Sequence, residues 1–304
     1  MSGSGEVVVH KMWLYLTLLR PFTLLAPVIV SSSVIIASLV SSQIATLPLT
    51  SLLCTIFSAS FCFALLNGAS NVLNQATDWK EDALSKPYRP IPQGIITSQE
   101  AFQLSFFFYI GAFLLALTVH IVFTLFIVLI AFFSVTYSLA PRMKKFLFLN
   151  QLWVAFPRGF LAILGSWSVF GNPFEPLPLG IGCVAALFLF GGTTTKDVLD
   201  AEADRTVGTK TLVNVFGLKI AALFSLAFMI GAFCLIIPLV YFHILPTVVF
   251  PLSFLSFLSV IIGWLMLHKH KNKNWENTSA WTVMYTTYFL FAFSFAMITI
   301  FSSV

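Results

Sequence analysis

The aspartates are the residues of this sequence whose spacing points most directly to chemistry. The chain has 304 residues and only five aspartates, which form two clusters: Asp78 with Asp82, and Asp197 with Asp200 and Asp204. Carboxylates four residues apart lie on one face of a helix, where like charges repel each other unless a cation lies between them. The two clusters therefore predict a metal site formed by Asp78, Asp82, Asp200 and Asp204.

Each cluster continues a polar stripe along its helix. In the first cluster, a spacing of four, three, four and four residues places five side chains on one face: Asn67, Asn71, Asn74, Asp78 and Asp82. In the second cluster, Thr193 shares the face of the three aspartates. We expect Asn74 and all five aspartates to take part in catalysis, and Asn67 and Asn71 to line a cavity beside them.

Magnesium is the cation that these clusters favour. It binds carboxylate oxygens, keeps several waters and commonly takes further ligands from substrate phosphates. A diphosphate held in this way would also contact basic side chains, and seven of them lie in the same three predicted loops: Lys86, Arg89, Lys144, Lys145, Lys196, Arg205 and Lys210. For any one of these residues, the enrichment of basic residues on the cytoplasmic side of membrane proteins is an alternative explanation.

Composition indicates that the bilayer is the solvent of this protein. Hydrophobic residues make up 59% of the chain and charged residues 9%, whereas charged residues are about a quarter of a soluble domain. Apolar stretches of about 20 residues, long enough to cross a bilayer, recur from end to end. They predict an all-α membrane protein with one domain, residues 1–304, and about nine transmembrane helices at residues 20–42, 47–73, 101–119, 121–140, 150–171, 176–195, 216–241, 244–267 and 279–302.

The distribution of lysine and arginine predicts the orientation. Basic residues near the spans are retained on the cytoplasmic side. The N-terminal segment and every second loop carry them, including Lys11 before the first span and Lys269, Lys271 and Lys273 before the last, while the alternate loops carry none. We expect a cytoplasmic N-terminus and a cytoplasmic active site. The short polar N-terminus has no cleavable signal or transit pattern, so the plasma membrane is the expected location.

Two residues inside the predicted spans are candidates for lining the cavity. Arg158 lies between Pro157 and Gly159, and a charge within a span usually faces a cavity or a partner on another helix. Both alternatives remain open for Arg158. Tyr137, near the end of its span, is also a candidate cavity residue. The net charge of +5 fits a basic fringe facing anionic lipid, so no nucleic-acid partner is expected.

Two stretches of the chain resemble the signatures of the UbiA superfamily of intramembrane prenyltransferases. The first runs from Asn74 to Asp82 and continues with Arg-Pro-Ile-Pro-Gln-Gly at residues 89–94; the second runs from Lys196 to Arg205 and continues through Gly-Thr-Lys-Thr-Leu at residues 208–212. One position departs from the family. Gln75 stands where a second aspartate is common, so that carboxylate has no counterpart here.

The resemblance implies both a fold and a reaction. It implies a helical barrel around a lipid-accessible cavity, with two Mg²⁺ ions at the cytoplasmic mouth and a polyprenyl diphosphate, favoured as geranylgeranyl diphosphate, lying in the membrane. Loss of diphosphate would leave an allylic cation that an acceptor captures. The favoured acceptor is geranylgeranylglyceryl phosphate, and the alternative is 4-hydroxybenzoate or another aromatic quinone precursor.

Two other functions use intramembrane carboxylates. CDP-alcohol phosphotransferases carry one compact aspartate block with internal glycines, whereas this chain has two separate blocks without them. A cation-coupled transporter would bind its ion near the middle of the bilayer, whereas these aspartates are predicted at span ends. Neither function fits the pattern as well as prenyl transfer does.

Overall fold

The protein is helical throughout the part of the chain that can be described. The structure is a computed structural model that describes residues 13–42, 47–268 and 278–302, and these ranges contain helices and connecting segments but no strand. The expected all-α class is therefore confirmed. Lys11 and the lysines at positions 269, 271 and 273, which contributed to the predicted orientation, lie outside the described residues.

In the described ranges, thirteen α-helices follow a short helical segment at residues 13–18. In chain order they are α1 (Pro21–Ser41), α2 (Leu49–Thr77), α3 (Trp79–Ser85), α4 (Ser98–Leu117), α5 (Ile121–Ser138), α6 (Leu149–Ala155), α7 (Ala162–Trp167), α8 (Pro176–Gly192), α9 (Thr194–Thr206), α10 (Leu212–Cys234), α11 (Ile236–Tyr241), α12 (Ser256–Leu267) and α13 (Ser279–Ser302). A π-helical segment, Phe156–Leu161, joins α6 to α7, and 3-10 turns occupy Met143–Lys145 and Thr247–Leu255.

Eight helical runs in the described residues are long and apolar enough to cross a membrane. They are Pro21–Ser41, Leu49–Thr77, Ser98–Leu117, Ile121–Ser138, Pro176–Thr206, Leu212–Tyr241, Thr247–Leu267 and Ser279–Ser302. The span expected at residues 150–171 corresponds to a run divided among α6, the π-helical segment and α7, which have seven, six and six residues. A multi-pass membrane protein is confirmed, and the count of nine spans stays a prediction.

Local sequence signals explain where several helices begin. Thr97 and Glu100 form a reciprocal capping box at the start of α4, which satisfies backbone N–H groups that have no partner within the helix. His120 accepts a hydrogen bond from the Val122 N–H at 3.3 Å and caps α5. The break predicted around this histidine therefore divides the long apolar stretch into two antiparallel crossings.

The helices pack into a closed ring. Around it, α1 contacts α2, α2 contacts α4, α4 contacts α5, α5 contacts α7 and the π-helical segment, and the π-helical segment contacts α8. The ring continues because α8 contacts α10, α10 contacts α12, α12 contacts α13, and α13 returns to α1. The ring encloses space for a cavity.

The helix that carries the first aspartate cluster bends at Asp78. We expected one continuous stripe from Asn67 to Asp82, but α2 ends at Thr77 and α3 begins at Trp79. The backbone of Asp78 has φ −105° and ψ 15°, and its carboxylate accepts hydrogen bonds from the side chains of Asn74 and Thr77. These contacts turn the last part of the stripe away from the axis of α2.

The helix that carries the second cluster ends in a glycine cap directly after Asp204. Gly208 has φ +76°, a left-handed conformation that glycine adopts without steric cost. The N–H of Thr209 donates to the carbonyl of Asp204 at 2.9 Å, and that of Gly208 donates to the carbonyl of Arg205 at 3.3 Å. This motif explains why a glycine follows the aspartate cluster.

Two adjacent glycines bring α8 close to its neighbours just before the second cluster. A Cβ atom on Gly191 would lie 2.5 Å from the carbonyl oxygen of Ser225, and a Cβ atom on Gly192 would lie 2.7 Å from Cγ of Met284. The Ser225 hydroxyl donates a hydrogen bond to the carbonyl of Gly191 at 2.5 Å. Close backbone packing at α8 and α10 therefore fixes the position from which α9 starts.

We predict that Gly191→Ala destabilises the protein, because the backbone of α10 must move to admit the methyl group. Overpacking of this kind costs about 1–3 kcal/mol, measured as a lower midpoint in thermal unfolding of the detergent-solubilised protein. Gly231→Ala is the matched control, since a Cβ atom there has no neighbour within 4 Å. Equal stability of the two variants would contradict the packing argument.

Candidate functional site

Both aspartate clusters line the same cavity within the helical ring. The cavity has a volume of about 260 Å³. Its lining combines the acidic and basic side chains of α3, α9 and the 3-10 turn Met143–Lys145 with apolar and aromatic groups, among them Phe63, Trp153, Tyr285 and Tyr288. Polar and apolar groups thus share one continuous space.

Asp78 is the most highly contacted carboxylate of the first cluster. Its Oδ2 accepts a hydrogen bond from Nδ2 of Asn74 at 2.8 Å and forms an ion pair with Nζ of Lys144. Its Oδ1 accepts from Thr77 Oγ1 at 3.0 Å and from Arg142 Nη2 at 2.7 Å. Asp78 therefore ties the end of α2 to the loop between α5 and α6.

Asp82 is buried one turn further along α3 and pairs with Arg89. Nη1 of Arg89 donates to Oδ2 of Asp82 at 2.7 Å, and both side chains are buried. Burial is the largest influence on this carboxyl group and raises its pKa, while the charges of Arg89 and Lys86 oppose the shift. The charge of Asp78 adds a further upward contribution to the pKa of Asp82, as repulsion between neighbouring carboxylates requires.

One ion pair joins the two clusters directly. Nζ of Lys86, at the end of α3, binds Oδ1 of Asp200 on α9, and the two helices pack against each other. Asp204 on the same face of α9 experiences the positive charges of both Lys86 and Lys144. The two motifs, more than a hundred residues apart in sequence, therefore face each other across one end of the cavity.

Asn150 lies at the centre of a second polar network that the sequence analysis missed. Its Oδ1 accepts hydrogen bonds from the Tyr137 hydroxyl at 2.8 Å and from Lys196 Nζ at 3.3 Å. Nζ of Lys196 also donates to the Tyr137 hydroxyl at 2.6 Å, and Nδ2 of Asn150 donates to Oδ2 of Asp197 at 3.5 Å. The network connects α5, α6 and α9 beside the aspartates.

Arg142 is the other important residue that the sequence analysis did not select. Besides Asp78, it binds Oε1 of Glu81 at 2.9 Å. Its backbone has φ +60°, and the 3-10 turn that follows places Lys144 toward Asp78. In the sequence, Arg142 is one of three basic residues, with Lys144 and Lys145, that follow the predicted span 121–140. Its partners lie on a distant part of the chain, so nothing local distinguished it.

Most of the predicted site residues are brought together by the fold. Fourteen line the cavity: Asn67, Asn71, Asn74, Asp78, Asp82, Lys86, Arg89, Tyr137, Lys144, Arg158, Lys196, Asp197, Asp200 and Asp204. Lys145, Arg205 and Lys210 do not line it; Arg205 and Lys210 are exposed, and Lys145 is half-buried. The roles assigned to all these side chains stay predictions.

Asn67 and Asn71 also hold two helices together. Nδ2 of Asn67 donates to the carbonyl of Thr23 at 3.1 Å, and Nδ2 of Asn71 donates to the Thr23 hydroxyl at 2.7 Å. Gln75, the position that departs from the family signature, donates to the carbonyl of Leu18 at 2.7 Å. The polar stripe of α2 thus holds the start of α1 in place. The Gln75 amide can donate a hydrogen bond to the Leu18 carbonyl, whereas an ionised carboxylate at this position has no hydrogen to donate.

The arrangement of carboxylates fits a magnesium ion that also binds a phosphate. Within the described ranges, no three side chains of the acidic, histidine or cysteine type lie close enough to form a ready-made metal cage. Magnesium usually binds through one or two carboxylates and fills its other positions with water and substrate phosphate oxygens. The carboxylates of Asp78, Asp82, Asp200 and Asp204 line the cavity, and their binding of a magnesium ion stays a prediction.

The comparisons with known proteins agree with this arrangement. The model of the UbiA prenyltransferase family matches residues 24–294. A digeranylgeranylglyceryl phosphate synthase of Methanobrevibacter smithii is 27% identical over 256 residues, which cover 82% of this chain and 83% of that protein. The fold is similar to that of a UbiA homolog from Archaeoglobus fulgidus bound to GPP and Mg²⁺, with a TM-score of 0.73, 19% identity, and coverage of 95% of this chain and 99% of that one.

A second solved structure gives the same result for the fold. It comes from a structural study of digeranylgeranylglyceryl phosphate synthase in membranes, and its TM-score to this chain is 0.62 at 21% identity. The similarity covers 97% of this chain and 99% of the solved one. The helical architecture therefore extends over the whole described protein.

We predict that Asn150→Ala lowers both stability and turnover, because Tyr137, Lys196 and Asp197 lose a shared buried partner. Leaving such groups unsatisfied costs about 1–3 kcal/mol, to be measured by thermal unfolding in detergent. Asn172→Ala is the control, since Asn172 is exposed in a loop and its side chain accepts only the hydrogen bond from the Phe174 N–H among the described contacts. A similar stability for both variants would show that the network is not structurally important.

Proposed function

The chain belongs to the UbiA prenyltransferase family and is a prenyltransferase, and from this premise we propose the following reaction. The protein uses Mg²⁺, with two ions as the expected number, to move a polyprenyl group from an allylic diphosphate to an acceptor within the membrane. The favoured donor is geranylgeranyl diphosphate and the favoured acceptor is geranylgeranylglyceryl phosphate.

The single observation that carries the proposal is the meeting of two carboxylate clusters and several basic side chains at one end of an apolar cavity. Asp78 and Asp82 face Asp200 and Asp204, and Lys86 and Lys144 lie between them. Magnesium bound to a diphosphate supplies positive charge to the carboxylates, and the phosphate oxygens supply negative charge to the lysines. An isoprenoid chain matches the apolar remainder of the cavity.

The carboxylates would hold the metal, and magnesium would supply positive charge that stabilises the diphosphate leaving group. Lys86, Arg89, Arg142 and Lys144 already form ion pairs with carboxylates. They are therefore near enough to donate hydrogen bonds to phosphate oxygens when a diphosphate binds. Burial lowers the pKa of Lys144, while the nearby charge of Asp78 raises it.

The apolar half of the cavity would protect the reacting carbon. The bond between the allylic carbon and the diphosphate oxygen breaks, and both electrons leave with the diphosphate. The acceptor oxygen forms the new bond to that carbon, and its proton passes to the departing diphosphate. Trp153, Tyr285 and Tyr288 line this space, where they exclude water and present ring faces that attract positive charge.

The choice of donor and acceptor draws on the named relatives. The Methanobrevibacter smithii relative is a digeranylgeranylglyceryl phosphate synthase, and so is a relative from Methanothermobacter thermautotrophicus that is 30% identical over 174 residues. The solved homolog from Archaeoglobus fulgidus binds GPP. These similarities favour a lipid acceptor over 4-hydroxybenzoate, which remains the alternative.

The location follows from the charge pattern. In the described residues, the basic side chains of Lys86, Arg89, Lys144 and Lys196 lie at the aspartate end of the cavity, and basic residues concentrate on the cytoplasmic side. This pattern supports an active site at the cytoplasmic surface of the membrane, and the plasma membrane remains the expected location.

The test of this function is product formation by purified protein in detergent. Geranylgeranyl diphosphate and Mg²⁺ are supplied with either geranylgeranylglyceryl phosphate or 4-hydroxybenzoate, and the prenylated product is identified by mass spectrometry. Product with the lipid acceptor alone is the expected result. Product only with 4-hydroxybenzoate would show that the acceptor is this aromatic compound instead. Failure to bind the donor in the presence of Mg²⁺ would refute the proposed function.

We predict that Asp78→Ala and Asp200→Ala each reduce magnesium-dependent turnover by roughly 100-fold or more, because each removes a ligand from one side of the metal site. The rate of diphosphate release measures the effect. Glu202→Ala is the matched control, since Glu202 lies two residues from Asp200 on α9 but is exposed and does not line the cavity. Undiminished activity in either aspartate variant would overturn the site assignment.

A further inference from the structure

Arg158 is a charged residue deep in the cavity that the proposed mechanism does not use. It lies in the π-helical segment Phe156–Leu161 and lines the cavity together with the aspartates. Within the described ranges, its guanidinium has no hydrogen bond or ion pair, while its backbone carbonyl accepts a hydrogen bond from the Tyr288 hydroxyl at 2.9 Å. An arginine within a membrane span normally has a partner or faces a cavity that supplies one.

The described acidic residues do not supply that partner. They lie on α3 and α9 or at the ends of other helices: Asp78, Glu81, Asp82, Glu100, Glu175, Asp197, Asp200, Glu202 and Asp204. The ion pairs that they form in the described structure involve Lys86, Arg89, Arg142, Lys144 and Lys196. The positive charge of Arg158 is therefore available to pair with an anionic group of a molecule that enters the cavity.

The backbone around Arg158 is fixed so that the side chain has a defined position. A Cβ atom on Gly159 would lie 2.6 Å from the backbone of Ala186, so the π-helical segment packs directly against α8. On another side, the Tyr288 hydroxyl holds the carbonyl of Arg158 from α13. A π-helical turn inside a helix is uncommon and frequently occurs at a functional site.

The position of Arg158 along its helix places it beyond the metal site. Asn150, which contacts Asp197 and Lys196, precedes it by eight residues, a separation of about 12 Å along a helix. Side chains on a helix lean toward its N-terminus, which here is the end with the aspartates. The guanidinium is thus directed from the interior toward the space where the reacting carbon must lie.

Polar groups accompany Arg158 at this depth. Ser70 and Ser134 line the cavity, and the Ser134 hydroxyl is hydrogen-bonded to the Tyr109 hydroxyl at 2.6 Å. The charge of Arg158 acts on this Tyr109 hydroxyl. Together these residues form a small polar patch in the more apolar half of the cavity. An isoprenoid chain is a hydrocarbon and has no polar group that could pair with this patch.

We infer that Arg158 binds the anionic group of the prenyl acceptor, an inference that rests on the proposed function. Geranylgeranylglyceryl phosphate carries a phosphate on the carbon next to its free hydroxyl, and 4-hydroxybenzoate carries a carboxylate across the ring from its hydroxyl. The planar guanidinium donates paired hydrogen bonds to either anion. Arg158 therefore positions the acceptor and selects an anionic one, while the aspartates and basic residues at the mouth hold the donor.

The test compares Arg158→Gln with the unaltered protein on anionic and neutral acceptors. Steady-state kinetics use geranylgeranylglyceryl phosphate against geranylgeranylglycerol, and 4-hydroxybenzoate against 4-hydroxybenzyl alcohol. We expect Arg158→Gln to raise KM for the anionic acceptor by about 10- to 100-fold, with KM for the donor unchanged. With the neutral acceptor, KM should be the same for the variant and the unaltered protein. The acceptor pair in which Arg158→Gln raises KM for the anionic member alone shows whether the site binds a phosphate or a carboxylate.

Two further variants control for structure and charge. Arg158→Lys keeps the charge but loses the paired donors, so it should raise acceptor KM less than Arg158→Gln does. It also provides the test if the Gln variant does not fold. Lys219→Gln removes an exposed positive charge from α10 and should leave all constants unchanged. Equal losses on anionic and neutral acceptors, or a raised donor KM, would overturn the inference.

Direct binding separates this inference from the proposed function. Affinity for geranylgeranylglyceryl phosphate and for 4-hydroxybenzoate is measured by calorimetry without donor, and donor affinity is measured separately with Mg²⁺. Weaker acceptor binding in Arg158→Gln supports the inference even if no product forms. Equal acceptor binding in both proteins, or none in the unaltered protein, overturns it, whereas absence of donor binding refutes the proposed function instead.

Discussion

The neutralisation of charge at one end of an apolar helical ring is the constraint on which this structure depends. The carboxylates of Asp78, Asp82 and Asp200 are removed from much of the surrounding water, and each pairs with a basic side chain, which for Asp78 and Asp200 comes from a distant part of the chain. A buried charge without a partner is costly. The ion pair between Lys86 and Asp200 holds α3 against α9. The two aspartate motifs therefore lie in a single site.

The same constraint divides the cavity into two regions with different chemistry. Carboxylates and cations concentrate at the mouth, which is the proposed site of the diphosphate and magnesium. The interior is more apolar and aromatic, which suits an isoprenoid chain and a reactive allylic carbon. Arg158 is the charged residue of that interior, and because its guanidinium has no protein partner in the described residues, its proposed role is at the acceptor rather than at the donor.

The sequence predicted the parts of the protein that follow from local spacing and composition. Asp78, Asp82, Asp200 and Asp204 line the cavity as a four-residue spacing implied, and eight of the nine apolar stretches correspond to membrane-length helical runs in the described residues. Asn150 and Arg142 were missed because each has an aspartate partner far along the chain, 47 and 64 residues away. Lys144 and Lys145 were indistinguishable in sequence, yet successive residues of a 3-10 turn point in different directions, and only Lys144 lines the cavity. The bend at Asp78 was also not predicted, because the regular spacing of the polar stripe indicates one continuous helix.

Calorimetry of a non-reactive geranylgeranyl thiolodiphosphate binding to the purified protein tests the central claim most directly. The account requires that the carboxylates hold the diphosphate through a divalent cation, so binding should be tight with Mg²⁺ and should be lost when the metal is chelated. It also requires that Mg²⁺ alone binds weakly, since its coordination depends on phosphate oxygens. Equal affinity for the analogue with and without Mg²⁺ would contradict the account, because the basic side chains alone would then hold the diphosphate.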